Sequence, residues 1–355
     1  MRVLAVNPGA TSTKFAVFAG IEVLLKKTME HQGTELSQFH RVFDQVEYRM
    51  ELILAALREA DIALDSLDAV VGRGGLLKPL QGGTYRVNAA MLQDLEKAER
   101  GEHASNLGGV LAYRLASRCG ANVPAFIVDP VSVDELEPVA RISGFPGLSR
   151  VSMAHALNMK AVARKVAAEL GKTYGEMNLV VAHLGTGVSL AAHYRGRMID
   201  IVDGKEEGPF APDRSGGLPA SQLVRLCFSG QYTFEELKKR LFGSGGIYAY
   251  LGTKDIREVE KRAAAGEEQA EILLQALCYQ VAKEIGALST VLSGQVDRII
   301  LTGGMAYSKR VVEMVSRRVQ FIAPVAVVPG EEELESLAAG ALRVLNREEE
   351  PHIYQ

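Results

Sequence analysis

The chain has 355 residues, of which 47% are hydrophobic and 23% charged, and its net charge at pH 7 is −3. This composition is typical of a globular protein of about two domains, and the lack of a long basic run argues against a nucleic-acid partner. The first apolar run ends at Asn7-Pro8-Gly9, unlike a signal peptide, and no later run has membrane-spanning length. Three scattered cysteines without zinc-binding spacing complete the prediction of a reduced, cytoplasmic protein with no membrane partner.

The first eighteen residues predict a strand, a polar turn and a second strand. Apolar runs at 2–6 and 14–18 flank a segment rich in Asn, Pro, Gly, Thr and Ser. Glycine and hydroxyl groups in such a turn suit phosphate, and the residues concerned are Gly9, Thr11, Ser12, Thr13 and Lys14. The turn is not a Walker loop, because it lacks Gly-Lys-Ser/Thr and a strand follows it. Taken alone, an ordinary hairpin remains the alternative.

The next hundred or so residues alternate helices and buried strands. Helical spacing predicts helices at about 45–60, at 88–100 and from 106, and the apolar runs predict strands at 67–71 and 125–128. A charged residue follows each strand, Arg73 after the first and Asp129 after the second. The carboxyl ends of strands in α/β sheets commonly hold ligands, whereas a cap or surface ion pair is the alternative for each residue.

The second half repeats the opening pattern. An aperiodic stretch at 141–152 predicts a crossover between domains, and a helix follows at 153–170 with His155 in its first turn. That histidine is either structural or an acid–base group. Strands are then predicted at 179–184, 188–193 and 198–202, with a tight turn at Gly185-Thr186-Gly187. Two such hairpins in matching places predict a duplicated α/β domain with a nucleotide in the cleft between the copies.

The remaining chain supplies a loop, helices and two strands. The Gly- and Pro-rich run at 203–219 holds Arg214, and helices are predicted at 219–228, 233–241 and 267–292. A strand at 298–301 ends in Thr302-Gly303-Gly304, where the backbone either approaches a flat ring or starts a helix. A strand at 325–328 precedes Glu331-Glu332-Glu333, which either complements the last helix's dipole or reaches a cation.

Five motifs together carry a family resemblance. They are Asn7 to Lys14, Gly72 to Pro79, His183 to Gly187, the 203–219 loop with Arg214, and Thr302 to Gly304. With these motifs, essentially the whole chain resembles the butyrate kinases, within the acetate kinase branch of the sugar kinase, Hsp70 and actin superfamily. The resemblance implies two ribonuclease-H-like, actin-like ATPase domains that close around ATP and Mg²⁺. Their expected bounds are 1–149 with about 332–355, and 150–331.

The resemblance also implies roles for individual residues. Near the metal it places Asn7 and either Glu332 or Glu333. Facing the phosphates it places Thr11, Ser12, Lys14, His183, Gly185, Thr186 and Gly187. Around the carboxylate and the transferring phosphoryl group it places Arg73, Arg214, Asp129 and His155. Lining the adenosine pocket it places Asp255, Ile256, Arg257, Gly303 and Gly304.

Several departures from the acetate kinase pattern bear on the acid that is used. The first turn reads Gly-Ala-Thr-Ser-Thr instead of Gly-Ser-Ser-Ser, glycines replace the histidines that flank Arg73, and alanines surround His155. With the short length, these differences favour butyrate or isobutyrate. The predicted activity is reversible phosphoryl transfer from ATP to a short-chain fatty acid, giving acyl phosphate and ADP, in an enzyme that the resemblance implies to be a homodimer or a larger homo-oligomer.

Specific features of the sequence bear on four alternative functions. An acetate or propionate kinase, from the sister branch of the family, is the first alternative. An actin- or Hsp70-like switch would need a partner-binding module, and none is evident after residue 330. A sugar kinase would need a carboxylate base for a hydroxyl, a role that Asp129 could fill. A nicotinamide oxidoreductase is excluded, because no G-x-G-x-x-G stands between a strand and a helix.

Overall fold

The computed structural model describes residues 1–355, which form two compact units. Unit 1 comprises Met1–Asp134 and Glu332–Gln355, and unit 2 comprises Glu135–Glu331. Each unit has its own β-sheet and its own hydrophobic core. The expected α/β class is therefore confirmed. None of the helices combines the length and the apolar character that crossing a membrane requires.

The helices and strands of unit 1 come first in the chain and again at its end. The first 134 residues contain β1 (Arg2–Pro8), β2 (Ser12–Ala19), β3 (Glu22–Glu30), α1 (Gly33–Leu36), α2 (Val46–Glu59), β4 (Ala69–Arg73), β5 (Thr84–Arg86), α3 (Ala89–Lys97), α4 (Asn106–Cys119) and β6 (Ala125–Val128). Unit 2 contains α5 (Ala156–Glu169), β7 (Asn178–Leu184), β8 (Val188–Tyr194), β9 (Arg197–Asp203), α6 (Ala220–Cys227), α7 (Phe234–Leu241), α8 (Gly246–Leu251), α9 (Ile256–Ala264), α10 (Glu268–Val291), β10 (Arg298–Gly303), α11 (Lys309–Val319) and β11 (Val325–Pro329). The chain then returns to unit 1 with α12 (Glu333–Leu345) and β12 (His352–Ile353).

The two sheets repeat one topology. The order is β12-β5-β6-β4-β1-β2-β3 in unit 1 and β11-β10-β7-β8-β9 in unit 2. In both, an antiparallel meander of three strands is extended by parallel strands on the side of its first strand. In both, the register shifts once between the second and third strands. The predicted duplication is thus visible in the strand order, and unit 1 adds β5 and β12 at its edge.

Helices cover both faces of the unit 1 sheet because its central strands are buried on both sides. Gly109 of α4 lies against Ile127, whereas Gly340 of α12 lies against Val128. Successive side chains of a strand point to opposite faces, so α4 and α12 pack on opposite faces. Gly72 serves this packing, because a Cβ there would clash with the Gly108 carbonyl oxygen of α4. Gly74 is required by a different contact, since a Cβ there would clash with Pro130 after β6.

The β7 strand divides its side chains between two helices. Its residues Val180, Ala182 and Leu184 belong to the core that includes α10. The alternate residues point the other way, and His183 there meets Asn158 of α5. The alternation therefore sends His183 to a polar position under α5.

Unit 1 gives way to unit 2 at Asp134, whereas the sequence suggests a boundary near residue 149. The reason is that the following segment is bound to β9. Glu137 donates its N–H to the Ile199 carbonyl at 3.0 Å, and the Glu135 carboxylate accepts the Met198 N–H at 2.7 Å. Glu135 also pairs with buried Lys160 at 2.8 Å. Buried backbone and ion pairs thus fix this segment to unit 2.

Candidate functional site

The predicted residues of unit 1 lie at the carboxyl edge of its parallel strands. In the register of these strands Val6 is opposite Gly72, and Arg73 is opposite Val128. Asn7, Arg73 and Asp129 therefore leave β1, β4 and β6 at the same edge. This is the edge where α/β sheets commonly hold ligands.

Arg73, Asn7 and Glu333 form one polar cluster. The Arg73 guanidinium Nη1 lies 2.7 Å from Glu333 Oε1 and 3.5 Å from Asn7 Oδ1, and the Asn7 amide donates to the Glu333 carboxylate. Glu333 is the first residue of α12. The sequence left Glu332 and Glu333 as alternatives, and the glutamate that contacts Asn7 is Glu333. Glu332 is exposed and adopts a left-handed conformation with φ 30°.

Asp129 is buried and shapes a neighbouring turn. Its Oδ1 accepts the Gly83 N–H at 2.7 Å, and its own N–H donates to the Gly83 carbonyl at 3.0 Å. Its φ of 37° lies in the left-handed region, which aspartate tolerates better than most residues. Asp129 thus clamps the Gly82-Gly83 turn at the carboxyl edge of the sheet.

The first turn holds a closed conformation. The Gly9 N–H donates to the Ser12 carbonyl at 2.7 Å. Thr11 and Lys14 are exposed and Ser12 is half-buried, whereas Thr13 is fully buried and points inward. Lys14 is opposite Asn7 in the β1–β2 register, so the two side chains share a face of the sheet.

His103 is a residue of this region that sequence reasoning missed. Burial lowers its pKa, and the positive charge of nearby Arg73 lowers it further. Its Nδ1 lies 2.8 Å from Ser105 Oγ. His103 precedes α4, the helix whose Gly108 touches the Arg73 backbone. The only signal in the sequence was a histidine just before a predicted helix. That His103 lies near Arg73 follows from the packing of α4, which the sequence does not show.

Two histidines stack in unit 2. The rings of His155 and His183 lie 3.9 Å apart with an interplanar angle of 10°. His155 occupies the position before α5, and not its first turn as expected, and its Nδ1 lies 2.9 Å from Ser189 Oγ. Ser189 is opposite His183 in the β7–β8 register. The β7–β8 pairing therefore places Ser189 next to His183, and the Ser189 hydroxyl contacts the His155 ring.

Asn158 fixes the proton position on buried His183. The Asn158 amide nitrogen donates to the carbonyls of Gly330 and Glu331, both at 3.3 Å. Its oxygen must then face His183 Nδ1, which lies 2.8 Å away and consequently carries a proton. The other ring nitrogen, Nε2, lies 3.3 Å from the Glu331 carboxylate. His183 is thus held in one orientation with Nε2 toward the Gly185 turn.

Arg214 lies directly on the Gly185–Gly187 turn. A Cβ on Gly187 would be 2.6 Å from Arg214 Nη1 and 2.7 Å from its Cζ. Only glycine admits the guanidinium at this distance. Asp203 lies on the same loop as Arg214, and burial raises its pKa, while its bonds to the N–H groups of Lys205 and Glu206 and the charge of Arg214 act in the opposite direction. The predicted loop arginine and glycine turn are thereby brought together.

A cavity of about 720 Å³ opens next to the same turn. Half of its lining consists of predicted site residues, namely Gly185, Thr186, Asp255, Ile256, Arg257 and Gly304. The other lining residues were not predicted as site residues, namely Pro212, Lys254, Glu260, Met305, Tyr307 and Ser308. Gly303 lies behind this lining: its φ is 86°, and a Cβ there would be 2.6 Å from the Leu184 carbonyl oxygen. Asp255 caps α9 and pairs with Arg257, which lowers the pKa of Asp255 to about 2.

Solved structures share this fold over nearly the full length. The acetate kinase of Porphyromonas gingivalis is 18% identical, with a TM-score of 0.80 and coverage of 97% of this chain and 99% of that chain. The propionate kinase of Francisella tularensis subsp. tularensis SCHU S4 is 18% identical, with a TM-score of 0.74 and coverage of 95% and 98%. The acetate kinase of Entamoeba histolytica is 16% identical, with a TM-score of 0.77 and coverage of 96% and 99%. These likenesses establish the fold.

The family follows from the sequence itself. Residues 147–337, more than half of the chain, match the model of the acetokinase family, also called acetate kinase. The chain belongs to the acetokinase family. It is therefore a phosphotransferase that acts on a carboxyl group, as the sequence motifs predict.

Proposed function

We propose that this protein catalyses reversible phosphoryl transfer from ATP to butyrate or isobutyrate, giving acyl phosphate and ADP. The observation that carries the proposal is the position of the Arg214 guanidinium, against Gly187 and on the turn that follows His183. A rigid, planar cation beside a glycine turn suits the oxygens of a phosphoryl group.

The chemistry needs charge neutralisation and no general base. A carboxylate is already an anion at neutral pH and attacks the γ-phosphorus directly. The obstacle is that an anion must approach a polyanion in line. Arg214 is proposed to stabilise the charge on the equatorial oxygens of the transferring group, and His155 to donate a hydrogen bond to it.

Unit 1 is proposed to bind the acid and the metal. Arg73 would hold the carboxylate of the acid, and Asp129 would order the neighbouring turn. Glu333 and Asn7 offer carboxylate and amide oxygens, the ligands that Mg²⁺ prefers. No group of three or more His, Cys, Asp or Glu side chains in the structure could hold a metal ion. When bound, Mg²⁺ would neutralise phosphate charge.

The 720 Å³ cavity is proposed to take the adenosine of ATP. Its volume lies within the range of small-ligand sites. Exposed Thr11 and Lys14, with Ser12 and the turn at 185–187, are proposed phosphate contacts. The Gly304 backbone would lie close to the nucleoside, because Gly304 lines the cavity and a Cβ there would meet nothing within 4 Å.

The preference for a four-carbon acid rests on the sequence departures from acetate kinases. Ala154, next to His155, replaces a larger side chain of the acetate kinases near the proposed acid-binding groups. One methylene group in an apolar pocket is worth about 1 to 3 kcal/mol, or roughly 10- to 200-fold in kcat/KM. A family member built for acetate or propionate is the second candidate, supported by the acetate and propionate kinases of similar fold. A homodimer is proposed from the family resemblance and is tested by light scattering.

The deciding assay traps acyl phosphate with hydroxylamine in the presence of ATP and Mg²⁺. Acetate, propionate, butyrate, isobutyrate and glucose are compared at matched concentrations. Butyrate or isobutyrate ahead of acetate by about tenfold or more in kcat/KM is the expected result. Acetate ahead would assign the protein to the second candidate. ATP binding without acyl phosphate from any acid would contradict kinase activity and favour an ATPase switch.

Direct transfer is proposed over a phosphorylated enzyme carboxylate. ATP made chiral at the γ-phosphorus tests this directly. One in-line transfer inverts the configuration at phosphorus, and two successive transfers restore it. Inversion is expected, and retention would require a covalent phospho-enzyme.

A further inference from the structure

Arg49 is a fully buried arginine on α2 with only neutral partners. Its Nε and Nη2 donate to the Gln45 side-chain oxygen at 3.1 and 2.8 Å. Its Nη1 donates to the Ser12 carbonyl at 2.9 Å and to Thr13 Oγ1 at 2.8 Å. Its exposed fraction is 0%. Arginine is almost never fully buried unless it is paired, so this position calls for an explanation.

The charge on Arg49 is retained despite the burial. Burial lowers the pKa of Arg49 to about 10, and the guanidinium is therefore still protonated at pH 7. A buried cation without an anionic partner costs free energy of folding. The cost is reduced by the four hydrogen bonds, but the net positive charge is not cancelled. It stands directly behind the 9–13 turn.

The contacts of Arg49 fix the shape of that turn. The Ser12 carbonyl that accepts from Arg49 also accepts the Gly9 N–H at 2.7 Å, and this bond closes the turn. The Thr13 hydroxyl, facing inward, is shared between Arg49 and His31 Nε2, which lies 2.8 Å away. His31 also donates its backbone N–H to the Thr11 carbonyl at 2.8 Å. Three residues of the turn are thus held from beneath.

His31 supports a single arrangement of these protons. Burial lowers its pKa, and the positive charge of Arg49 lowers it further. A neutral His31 accepts the Thr13 hydroxyl proton at Nε2, while the Thr13 oxygen accepts from Arg49. The chain of donors therefore runs from Arg49 to Thr13 to His31 and cannot reverse, because a guanidinium has no acceptor.

We propose that Arg49 is the positioning residue of a polyphosphate-binding turn: it holds the 9–13 backbone from behind and supplies a fixed positive charge that bound phosphates compensate. The inference rests on the proposed function of this turn as a phosphate site. Arg49 contacts the turn and not the ligand, and its influence is therefore electrostatic and conformational. The ligand class is a nucleoside triphosphate, whose negative charge would balance the positive charge of Arg49.

The test compares ligands that differ only in phosphate number. Affinities for ATP, ADP, AMP and adenosine are measured by titration calorimetry on the full-length protein, on Arg49→Met, on Arg49→Lys, and on Arg58→Met as a matched control. Arg58 lies exposed on the same helix. The expected result for Arg49→Met is a loss of about tenfold or more in ATP affinity, from the loss of one nearby charge, with adenosine affinity unchanged within about twofold. Arg49→Lys keeps the charge and should lose less.

Thr13→Val provides a second variant of nearly unchanged shape if Arg49→Met fails to fold. It removes the hydroxyl between Arg49 and His31 and should weaken ATP binding more than adenosine binding, by roughly threefold or more. An ATP-to-adenosine affinity ratio that stays within twofold of the parent in Arg49→Lys and Thr13→Val, and in Arg49→Met where it folds, would overturn the inference. A parent protein that binds ATP no better than adenosine would instead refute the proposed phosphate site.

Discussion

The β1–β2 and β7–β8 hairpins occupy equivalent places in two sheets of the same topology, yet they use different chemistry. The 9–13 turn after β1 is rich in hydroxyls, and a buried arginine lies behind it. The turn after β7 is glycine-rich, with Arg214 on its surface and a histidine beneath it. The two units thus share the pairing of the strands. The positive charge lies behind the turn in unit 1 and on the face of the turn in unit 2.

This difference predicts where substitutions act. Charge on the exposed face of a turn is available to a reacting group, whereas charge behind a turn acts on affinity. We expect changes at the second hairpin to affect turnover and changes at the first hairpin to affect nucleotide affinity. The following predictions test the second hairpin, from the largest expected effect to the smallest.

Removal of the Arg214 side chain should have the largest effect. We expect Arg214→Ala to lower kcat for acyl phosphate formation by about 10² to 10³, the usual cost of losing one group that stabilises transition-state charge. Steady-state kinetics with ATP and butyrate measure this, and Arg225→Ala, an exposed arginine on α6, is the control. Turnover within threefold of the parent would remove Arg214 from the mechanism.

Gly187→Ala should act on the same guanidinium without removing it. The added Cβ would lie 2.6 Å from Arg214 Nη1, and the arginine must shift. We expect kcat to fall by roughly 10- to 100-fold, since misplacement of about 1 Å is costly for a charged group in catalysis. Gly286→Ala on α10, where a Cβ meets nothing within 4 Å, should leave kcat unchanged. Equal kinetics for the two variants would show that the contact has no role.

Asn158→Leu should release His183 from its fixed orientation. The change leaves the His183 Nδ1–H and two backbone carbonyls without their partner, which costs about 1 to 3 kcal/mol in the free energy of unfolding. We expect kcat to fall about tenfold, because the ring next to His155 is free to rotate. Urea unfolding and kinetics measure both effects. A stability loss with unchanged kcat would restrict Asn158 to a structural role.

The far end of the second hairpin should limit stability in acid. Burial holds the pKa of His193 well below its ordinary value of 6.5, and the charges of Lys160 and Arg164 act in the same direction. The unfolded chain then binds a proton that the folded chain does not, so stability is complete above pH 6.5 and falls as the pH drops below it. We expect a slope of about 1.4 kcal/mol per pH unit from this residue.

His193→Asn should reduce that slope. Asparagine keeps an acceptor for Tyr174, whose hydroxyl lies 2.6 Å from His193 Nδ1, and it does not titrate. Urea unfolding between pH 7 and pH 5 compares the variant with the parent and with exposed His40→Asn. An unchanged pH dependence in His193→Asn would assign the acid lability to other groups.

The fold was largely predictable because its signals are local. Turns between apolar runs predicted the β1–β2 hairpin and the β7–β9 meander, and the strand at 125–128 agrees with β6 residue for residue. The sequence also offered α11 through Val311, Val315 and Val319 at a spacing of four, although no helix was predicted there. The short β5 and β12 were missed, since each is defined mainly by pairing with a distant strand.

Several residues of the candidate site could be named from the sequence, but the contacts between them could not be predicted. Arg214 and Gly187 were both named from sequence, whereas their contact depends on how the 203–219 loop returns to β7. Asn158 carries no local signal, because its partner His183 lies far away in sequence. His103 is recognisable in the sequence only as a histidine before a helix, and its proximity to Arg73 depends on how α4 packs. The choice between Glu332 and Glu333 depends on the starting conformation of α12, which sequence periodicity does not resolve.

The most direct test of the account follows the phosphorus itself. Phosphorus NMR of the protein with ATP, Mg²⁺ and butyrate records every phosphorylated product in one sample. We predict an acyl phosphate signal that grows in step with ADP and depends on both butyrate and the Arg214 side chain. ADP that appears with inorganic phosphate alone, at a rate that butyrate does not change, would contradict transfer to a carboxylate.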